Sequence, residues 1–145
     1  MRVYIDGASR GNPGPAAIGV VFQDKKGKSL KKISLAIGQA TNNMAETLAL
    51  IFALQEAIMI QADELQVFTD SELVAKQFNG EYMIKDASLK ALALLVNHLR
   101  RGFKHLSVTH VPREKNKLAD EAANQALDAL APSNDGGGQF FLQIG

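Results

Sequence analysis

The first forty residues contain two short apolar runs and one stretch of alternating apolar residues, which are patterns typical of β-strands. Residues 3–5 form a short apolar run, which we expect to end at the turn dipeptide Asp6-Gly7. A second apolar run, residues 16–23, follows a loop rich in Gly and Pro. After a polar turn, apolar residues alternate with other residues at Ile33, Leu35 and Ile37, as a strand with one buried face requires. Three strands joined by short turns predict an antiparallel meander.

Beyond this meander the hydrophobic spacing becomes helical. Apolar residues cover much of the circumference of residues 43–60, which is typical of a helix packed at the centre of a domain. The rest of the pattern predicts a strand at 65–69, helices at 71–78 and 88–101, a strand at 106–108 and a helix at 116–130. The order βββαβααβα predicts an α/β fold, in which a mixed five-stranded sheet carries helices on both faces and its later strands run parallel to the first.

Length and composition favour one soluble domain. With 145 residues, of which 46% are hydrophobic, the chain can bury one substantial core. We assign residues 1–131 to that domain and residues 132–145 to a Gly-rich linker and an apolar tail. The net charge is only +1, so any contact with a polyanion depends on where individual charges lie. The absence of Cys, of a leader-like N-terminus and of a bilayer-length apolar segment leads us to expect a cytoplasmic protein that does not contact membranes.

The tail is apolar and β-prone, since it reads Gln-Phe-Phe-Leu-Gln-Ile over residues 139–144. A segment of this kind seldom stays exposed. We expect it to dock against the sheet edge of its own domain. Strand exchange between two copies is the alternative.

Four acidic residues are candidates for chemistry. Asp6 and Asp70 follow predicted parallel strands, and ligands bind at the carboxyl ends of such strands. Glu46 lies in the first turn of the central helix, and Asp120 lies on the last helix. Each also has an ordinary explanation: Asp6 in a turn, Glu46 in a capping box with Asn43, Asp70 as a helix N-cap, and Asp120 facing solvent.

Taken together, the four acids indicate a metal site. The predicted topology brings them toward one edge of the sheet, where their charges would repel one another. Protons or cations must offset such a cluster, and oxygen ligands favour Mg²⁺ or Mn²⁺ over Zn²⁺. Two such ions about 4 Å apart are a known arrangement for phosphodiester hydrolysis.

Four segments resemble, in order, the motifs of the ribonuclease H type 1 family. They are Asp-Gly-Ala-Ser-Arg-Gly-Asn-Pro-Gly-Pro at 6–15, Thr-Asn-Asn-Met-Ala-Glu at 41–46, Thr-Asp-Ser-Glu at 69–72 and Asn-Lys-Leu-Ala-Asp at 116–120. The resemblance covers about residues 1 to 130. It implies an endonuclease that hydrolyses the RNA strand of RNA/DNA hybrids and leaves 3′-hydroxyl and 5′-phosphate ends. It also implies two Mg²⁺ ions per site when substrate is bound, with Mn²⁺ able to substitute.

The resemblance assigns roles residue by residue. The catalytic, metal-holding residues that it implies are Asp6, Glu46, Asp70 and Asp120. The substrate-binding residues are Gly11, Asn12, Thr41, Asn42, Asn43, Arg113 and Asn116. Those of the 11–12 turn and the 42–43 pair are similar to the family's readers of RNA 2′-hydroxyls in the minor groove. Thr41 resembles a contact to a phosphate of the DNA strand.

His110 lies ten residues before Asp120, where members of the family carry a histidine that helps to move protons or to release product. The alternative is a strand-end histidine hydrogen-bonded to the backbone. The family's glycine-rich loop is replaced here by Val-Pro-Arg at 111–113. Arg113 or Lys115 is therefore an alternative that could partly substitute for His110, by holding a phosphate.

The chain departs from some family members between the helices at 71–78 and 88–101. Those members insert a basic helix and loop that grips the duplex, whereas this chain has only residues 79–86. We therefore expect weaker and strongly salt-sensitive binding. We expect a monomer with no obligate protein partner, and duplex RNA stays open as a further substrate.

Two other functions fit the same fold. One is a non-catalytic module that binds hybrid or RNA, which the presence of all four acids disfavours. The other is a transposase- or resolvase-like nuclease that acts on DNA, which the asparagines Asn12, Asn42 and Asn43 disfavour.

Overall fold

Five strands and four α-helices follow one another in the predicted order within residues 1–130, the part of the chain that the computed structural model describes. The strands are β1 (Arg2–Ser9), β2 (Gly14–Gln23), β3 (Ser29–Ala40), β4 (Glu64–Thr69) and β5 (His105–His110). The helices are α1 (Asn42–Met59), α2 (Glu72–Phe78), α3 (Ala87–Arg100) and α4 (Lys117–Asp128), with a single 3₁₀ turn at Arg113–Lys115 before α4.

The five strands form one mixed sheet in the order β3-β2-β1-β4-β5. β1 pairs antiparallel with β2 and parallel with β4, and β5 continues the parallel part beside β4. The predicted fold class is therefore confirmed. β1 lies at the centre, between the hairpin half of the sheet and the parallel half.

Helices cover both faces of the sheet, and two glycines show how closely they approach. A Cβ at Gly7 would lie 2.2 Å from the backbone carbonyl carbon of Ala45 in α1, and a Cβ at Gly19 would lie 2.1 Å from the carbonyl oxygen of Ala119 in α4. Gly7 pairs with Ile18, the residue before Gly19. Because neighbouring residues in a strand point to opposite faces, α1 and α4 lie on opposite sides of the sheet.

The main core lies between the sheet and α1. Apolar side chains of the three central strands pack there against α1, and α3 covers α1 from outside. The fully buried side chains include Ile5, Ile18, Phe22, Leu54 and Val67. This core packs β1 and α1 against each other, and both elements carry predicted site residues.

Some predicted positions were wrong. β1 does not stop at Asp6-Gly7 but continues to Ser9, because its antiparallel pairing with β2 runs on to Ser9 opposite Ala16. Only the parallel pairing with β4 ends early, at Ile5 opposite Thr69. Leu35 is 40% exposed rather than buried, because β3 is an edge strand.

The boundary at 131/132 and the docking of the tail lie outside the described residues. Within residues 1–130, no helix is long and apolar enough to cross a membrane.

Candidate active site

Asp6 and Asp70 meet because β1 and β4 are parallel neighbours. Ile5 and Thr69 form the last pair of that ladder, and the two aspartates are the residues that come next. One carboxylate oxygen from each of Asp6, Glu46 and Asp70 lies within 4.8 Å of the other two. The predicted convergence of these three acids at the carboxyl ends of the strands is therefore found in the structure.

Glu46 reaches the cluster because α1 crosses β1 in direct backbone contact at Gly7. The Gly7 amide donates a hydrogen bond of 3.2 Å to Oε2 of Glu46. The capping alternative for Glu46 was wrong: Thr41 is the N-cap of α1, and its hydroxyl accepts from the amide of Met44. Ser71 likewise caps α2, so Asp70 is not that helix's N-cap.

Asp120 joins the cluster from the other face of the sheet. It lies in the first turn of α4, and its charge and a side-chain hydrogen bond both act on Asp6. The side-chain amide of Asn124, one turn further along α4, donates to Oδ1 of Asp120 at 3.2 Å and to its carbonyl oxygen at 3.0 Å. Asp120 is thus held in place from within its own helix and faces the other acids, not open solvent.

The electrostatics of the cluster favour protonation or cation binding. Burial, followed by the charge of Asp70 and a hydrogen bond that protonated Asp6 donates to Asp120, raises the pKa of Asp6 to about 7. Burial and the charges of Asp6 and Asp70 raise the pKa of Glu46 well above its ordinary value. Each shift reflects a carboxylate that is costly to ionise without a positive partner.

The same acids fit divalent cations. Oδ2 of Asp70 is buried and accepts no hydrogen bond from any group in residues 1–130. A buried acceptor without a partner is costly, so it points to a ligand. The donor set consists of carboxylate oxygens, which Mg²⁺ and Mn²⁺ prefer.

An open cleft contains the four acids together with several of the predicted substrate-binding residues. Asn42, Asn43 and Arg113 line it. Asn12 and Asn42 also connect the β1–β2 loop to the start of α1: Oδ1 of Asn12 accepts from the Asn42 amide, and Oδ1 of Asn42 accepts from the Ser9 amide, each at 3.1 Å. These bonds use the side-chain oxygens, so the NH₂ groups are what both side chains have to offer a ligand.

His110 lies beside the cleft and not in it. It ends β5 opposite Thr69, is exposed, and lines a neighbouring groove with Glu72 and Lys76 between α2 and β5. Its charge helps to lower the pKa of Glu72, after the larger effects of the hydrogen bond and charge of Lys76. Its role in proton movement or product release stays a prediction.

Asn116 requires a correction. It was predicted to bind substrate, but it is only 1% exposed and its side-chain amide donates to the carbonyl oxygen of Ile5 at 2.8 Å. A buried side chain cannot contact nucleic acid. Asn116 instead connects the start of α4 to β1, next to Asp6, and so sets the distance between the elements that carry Asp6 and Asp120.

Asn124 and Arg10 also line the cleft and were not predicted from the sequence. Asn124 lies four residues after Asp120, a helical spacing that places both side chains on one face, and this spacing could have revealed it. Arg10 also lines the cleft. It lies inside the first motif, but no feature of the sequence alone distinguishes it from the other exposed cations of the chain.

Comparisons with known proteins agree with this geometry. The family model described as reverse transcriptase-like matches residues 4–126. Over 88% of its own length, this chain is 44% identical to ribonuclease HI of Halobacterium salinarum. It is also 44% identical to ribonuclease H of Roseobacter denitrificans, over 91% of this chain and 98% of that protein. The chain spans 64% of the length of the Halobacterium relative.

Solved structures show the same relationship. The crystal structure of RNase H1 from Halobacterium salinarum superposes with a TM-score of 0.86 at 44% identity, covering 89% of this chain and 98% of that one. LC11-RNase H1, solved in complex with an RNA/DNA hybrid, gives a TM-score of 0.83 at 44% identity, covering 88% and 96%. Only residues 79–86 separate α2 from α3. By its sequence, its fold and its relatives, this chain belongs to the ribonuclease H family, type 1.

Proposed function

We propose that this chain is an endonuclease that hydrolyses the RNA strand of RNA/DNA hybrids and leaves 3′-hydroxyl and 5′-phosphate ends. The observation that carries the proposal is the cluster of Asp6, Glu46 and Asp70, whose oxygens lie within 4.8 Å of one another in an open cleft with Asp120 beside Asp6. Binding a polyanion gains nothing from clustered negative charge, so a purely binding role does not account for the four acids.

The four acids would hold two Mg²⁺ ions, for which Mn²⁺ would substitute. Bound divalent ions supply the acidity that turns water into a nucleophile and the positive charge that stabilises the departing oxygen. Because the pKa of Asp6 is raised to about 7, this carboxyl holds a proton below neutral pH in the absence of a cation, and cation binding displaces that proton. Asn124 and Asn116 keep Asp120 and α4 in place relative to β1.

Selection of the RNA strand rests on Asn42, which lines the cleft, and on Asn12, which is hydrogen-bonded to it. The NH₂ groups of Asn12 and Asn42 are free to donate to 2′-hydroxyls, because the oxygens of both side chains are used within the protein. Thr41 caps α1 next to them, and a helix N-terminus binds phosphate well. That LC11-RNase H1, 44% identical, was solved with an RNA/DNA hybrid supports the same substrate class here.

The test is cleavage by the purified chain. Labelled RNA/DNA hybrid, duplex RNA, single-stranded RNA and duplex DNA are each incubated with Mg²⁺ or Mn²⁺, and products are analysed for internal cuts and for 5′-phosphate ends. We expect hybrid to be cut within its RNA strand and duplex DNA to be left intact. Activity on duplex RNA would widen the substrate class.

Two variants make the test specific. Asp70→Asn removes one acid of the cluster and should lower the rate about a thousandfold or more. Asp63→Asn is the matched control. Asp63 is an exposed acid just before β4 that pairs with Lys104, just before β5, at the end of these strands opposite the cluster. Unchanged cleavage by Asp70→Asn, or cleavage of duplex DNA in preference to hybrid, would contradict the proposal.

A further inference from the structure

Arg10, which lines the cleft, forms an ion pair with Asp128 of α4. It follows β1 directly and lines the cleft, and its guanidinium contacts the carboxylate of Asp128, the last residue of α4. The side chains of Arg10 and Asp128 are 50% and 69% exposed. An exposed ion pair contributes little to stability, so breaking it costs little.

The backbone that carries Arg10 is well fixed, so that only its side chain is free to change partner. The Arg10 amide donates to the carbonyl oxygen of Pro15 at 2.8 Å. Ser9, just before it, donates from its amide to Asn42 at 3.1 Å and from its hydroxyl to the carbonyl oxygen of Ala40 at 2.7 Å. Arg10 therefore extends from a fixed point next to the residues proposed to read the RNA strand.

The cleft needs positive charge at its rim. Its lining in residues 1–130 includes the four acids, and the cationic side chains that line it are Arg10 and Arg113. The connection between α2 and α3, where a basic insertion would lie, carries Lys85 but also Glu81 and Asp86. Contacts to the phosphate backbone must therefore come from cations that belong to the cleft itself.

We infer that Arg10 binds a backbone phosphate of the nucleic acid in the cleft, and that Asp128 holds the same guanidinium when no nucleic acid is bound. This inference rests on the proposed function. A guanidinium matches a phosphate as well as a carboxylate, through paired N–H donors. Asp128 is then an internal competitor of the substrate, and the two residues have opposite effects on affinity.

The experiment measures the affinity for a labelled RNA/DNA hybrid by fluorescence anisotropy over a range of NaCl concentrations. All proteins are full-length and carry Asp70→Asn, so that the hybrid stays intact. Arg10→Ala should weaken binding about five- to tenfold. It should also reduce the slope of log Kd against log NaCl concentration by about one, because one fewer counterion is released. Asp128→Asn should tighten binding about two- to fivefold. When Arg10→Ala is already present, Asp128→Asn should not change the affinity, because Asp128 competes with the substrate only for the Arg10 guanidinium.

The ion pair of Lys104 and Asp63 provides matched controls. It lies before β4 and β5, at the end of the parallel strands opposite the cleft, with Nζ and Oδ2 3.5 Å apart. Lys104→Ala and Asp63→Asn change the net charge as Arg10→Ala and Asp128→Asn do, and they should shift the affinity less than twofold. Thermal melting of each variant shows whether it is still folded. Arg10→Lys keeps the positive charge and should recover part of the affinity lost in Arg10→Ala.

The outcomes are distinct. If Arg10→Ala and Asp128→Asn behave like the Lys104 and Asp63 controls, or if Asp128→Asn tightens binding equally without Arg10, the inference is overturned while the proposed function stands. If the Asp70→Asn parent shows no affinity for hybrid and the native chain does not cut it, both are overturned.

Discussion

Asp6 bears much of the electrostatic cost of this cleft. It lies at the centre of the sheet, is 4% exposed, and faces Asp70, Glu46 and Asp120. Burial and like charge raise its pKa to about 7 from an ordinary value of 3.8. In the metal-free protein the folded chain therefore holds a proton that the unfolded chain releases, over the pH range between those two values.

This shift predicts how stability depends on pH. Between about pH 4 and pH 7 the folded state binds more protons than the unfolded state, so the contribution of Asp6 to the free energy of unfolding falls as pH rises through that range. Asp6→Asn removes the cost. At pH 8 without metal, the variant should be more stable than the native chain by about 2 kcal/mol, while its activity is lost. Denaturant unfolding at pH 5 and pH 8 measures the difference.

The control for this comparison is Asp63→Asn, whose acid is exposed outside the cleft. It should show no such gain at pH 8. Adding Mg²⁺ should raise the stability of the native chain and leave that of Asp6→Asn less changed, because a ligand stabilises only the form that binds it. A native chain that is more stable than Asp6→Asn at pH 8 in the presence of a chelator would contradict the argument.

At the scale of secondary structure elements, the cluster depends on how closely α1 crosses β1. Gly7 permits backbone contact with Ala45 and Glu46, and its amide supports the Glu46 carboxylate. Any side chain at this position would separate the helix from the strand. The glycine is therefore required for packing and also for the position of one acid.

Gly7→Ala should accordingly destabilise the fold and reduce activity together. A Cβ at 2.2 Å from a backbone carbon cannot be accommodated without moving α1, and we expect a loss of about 3 kcal/mol or more in the free energy of unfolding. Gly80→Ala is the comparison: no atom lies within 4 Å of its added Cβ, and only its positive φ of 76° opposes the change. Urea unfolding of both variants tests this, and equal losses would refute the packing argument.

The element order was predictable from the sequence, because apolar runs, two-residue alternation and helical spacing reveal strands and helices directly. The exact end of β1 was not, because it depends on pairing with β2. Asp6 and Asp70 could be brought together by topology alone. Contacts that depend on a single side chain were not predictable: a pattern does not distinguish an asparagine that faces solvent from Asn116, which is buried against Ile5. The choice of Thr41 over Asn43 as the cap of α1 likewise depends on backbone angles.

At the scale of the whole molecule, the cleft lies at the carboxyl ends of β1 and β4, where helices from both faces of the sheet contribute residues. β1 and β4 supply acids from the strand ends, α1 supplies Glu46 from one face, and α4 supplies Asp120 from the other. The site thus depends on the packing of both layers of helices. Changes that loosen either layer should alter the position of at least one acid.

The tail, which lies outside the described residues, provides a further prediction at this scale. Residues 139–144 are apolar and β-prone, and we expect them to bury that surface against the domain. Deleting residues 132–145 should therefore lower the melting temperature by about 3–6 °C. Calorimetry at two protein concentrations separates docking within one chain from strand exchange, since only the latter depends on concentration. An unchanged melting curve would contradict both.

The position of α4 at the end of the described chain has a consequence for synthesis. Its first turn supplies the fourth acid, and Gly19 in β2 is fitted to its backbone, although about a hundred residues separate the two in sequence. Without α4, Asp6 would lack its acidic neighbour on that face of the sheet. The cluster of four acids is therefore complete only after α4 has been synthesised and has packed onto β2.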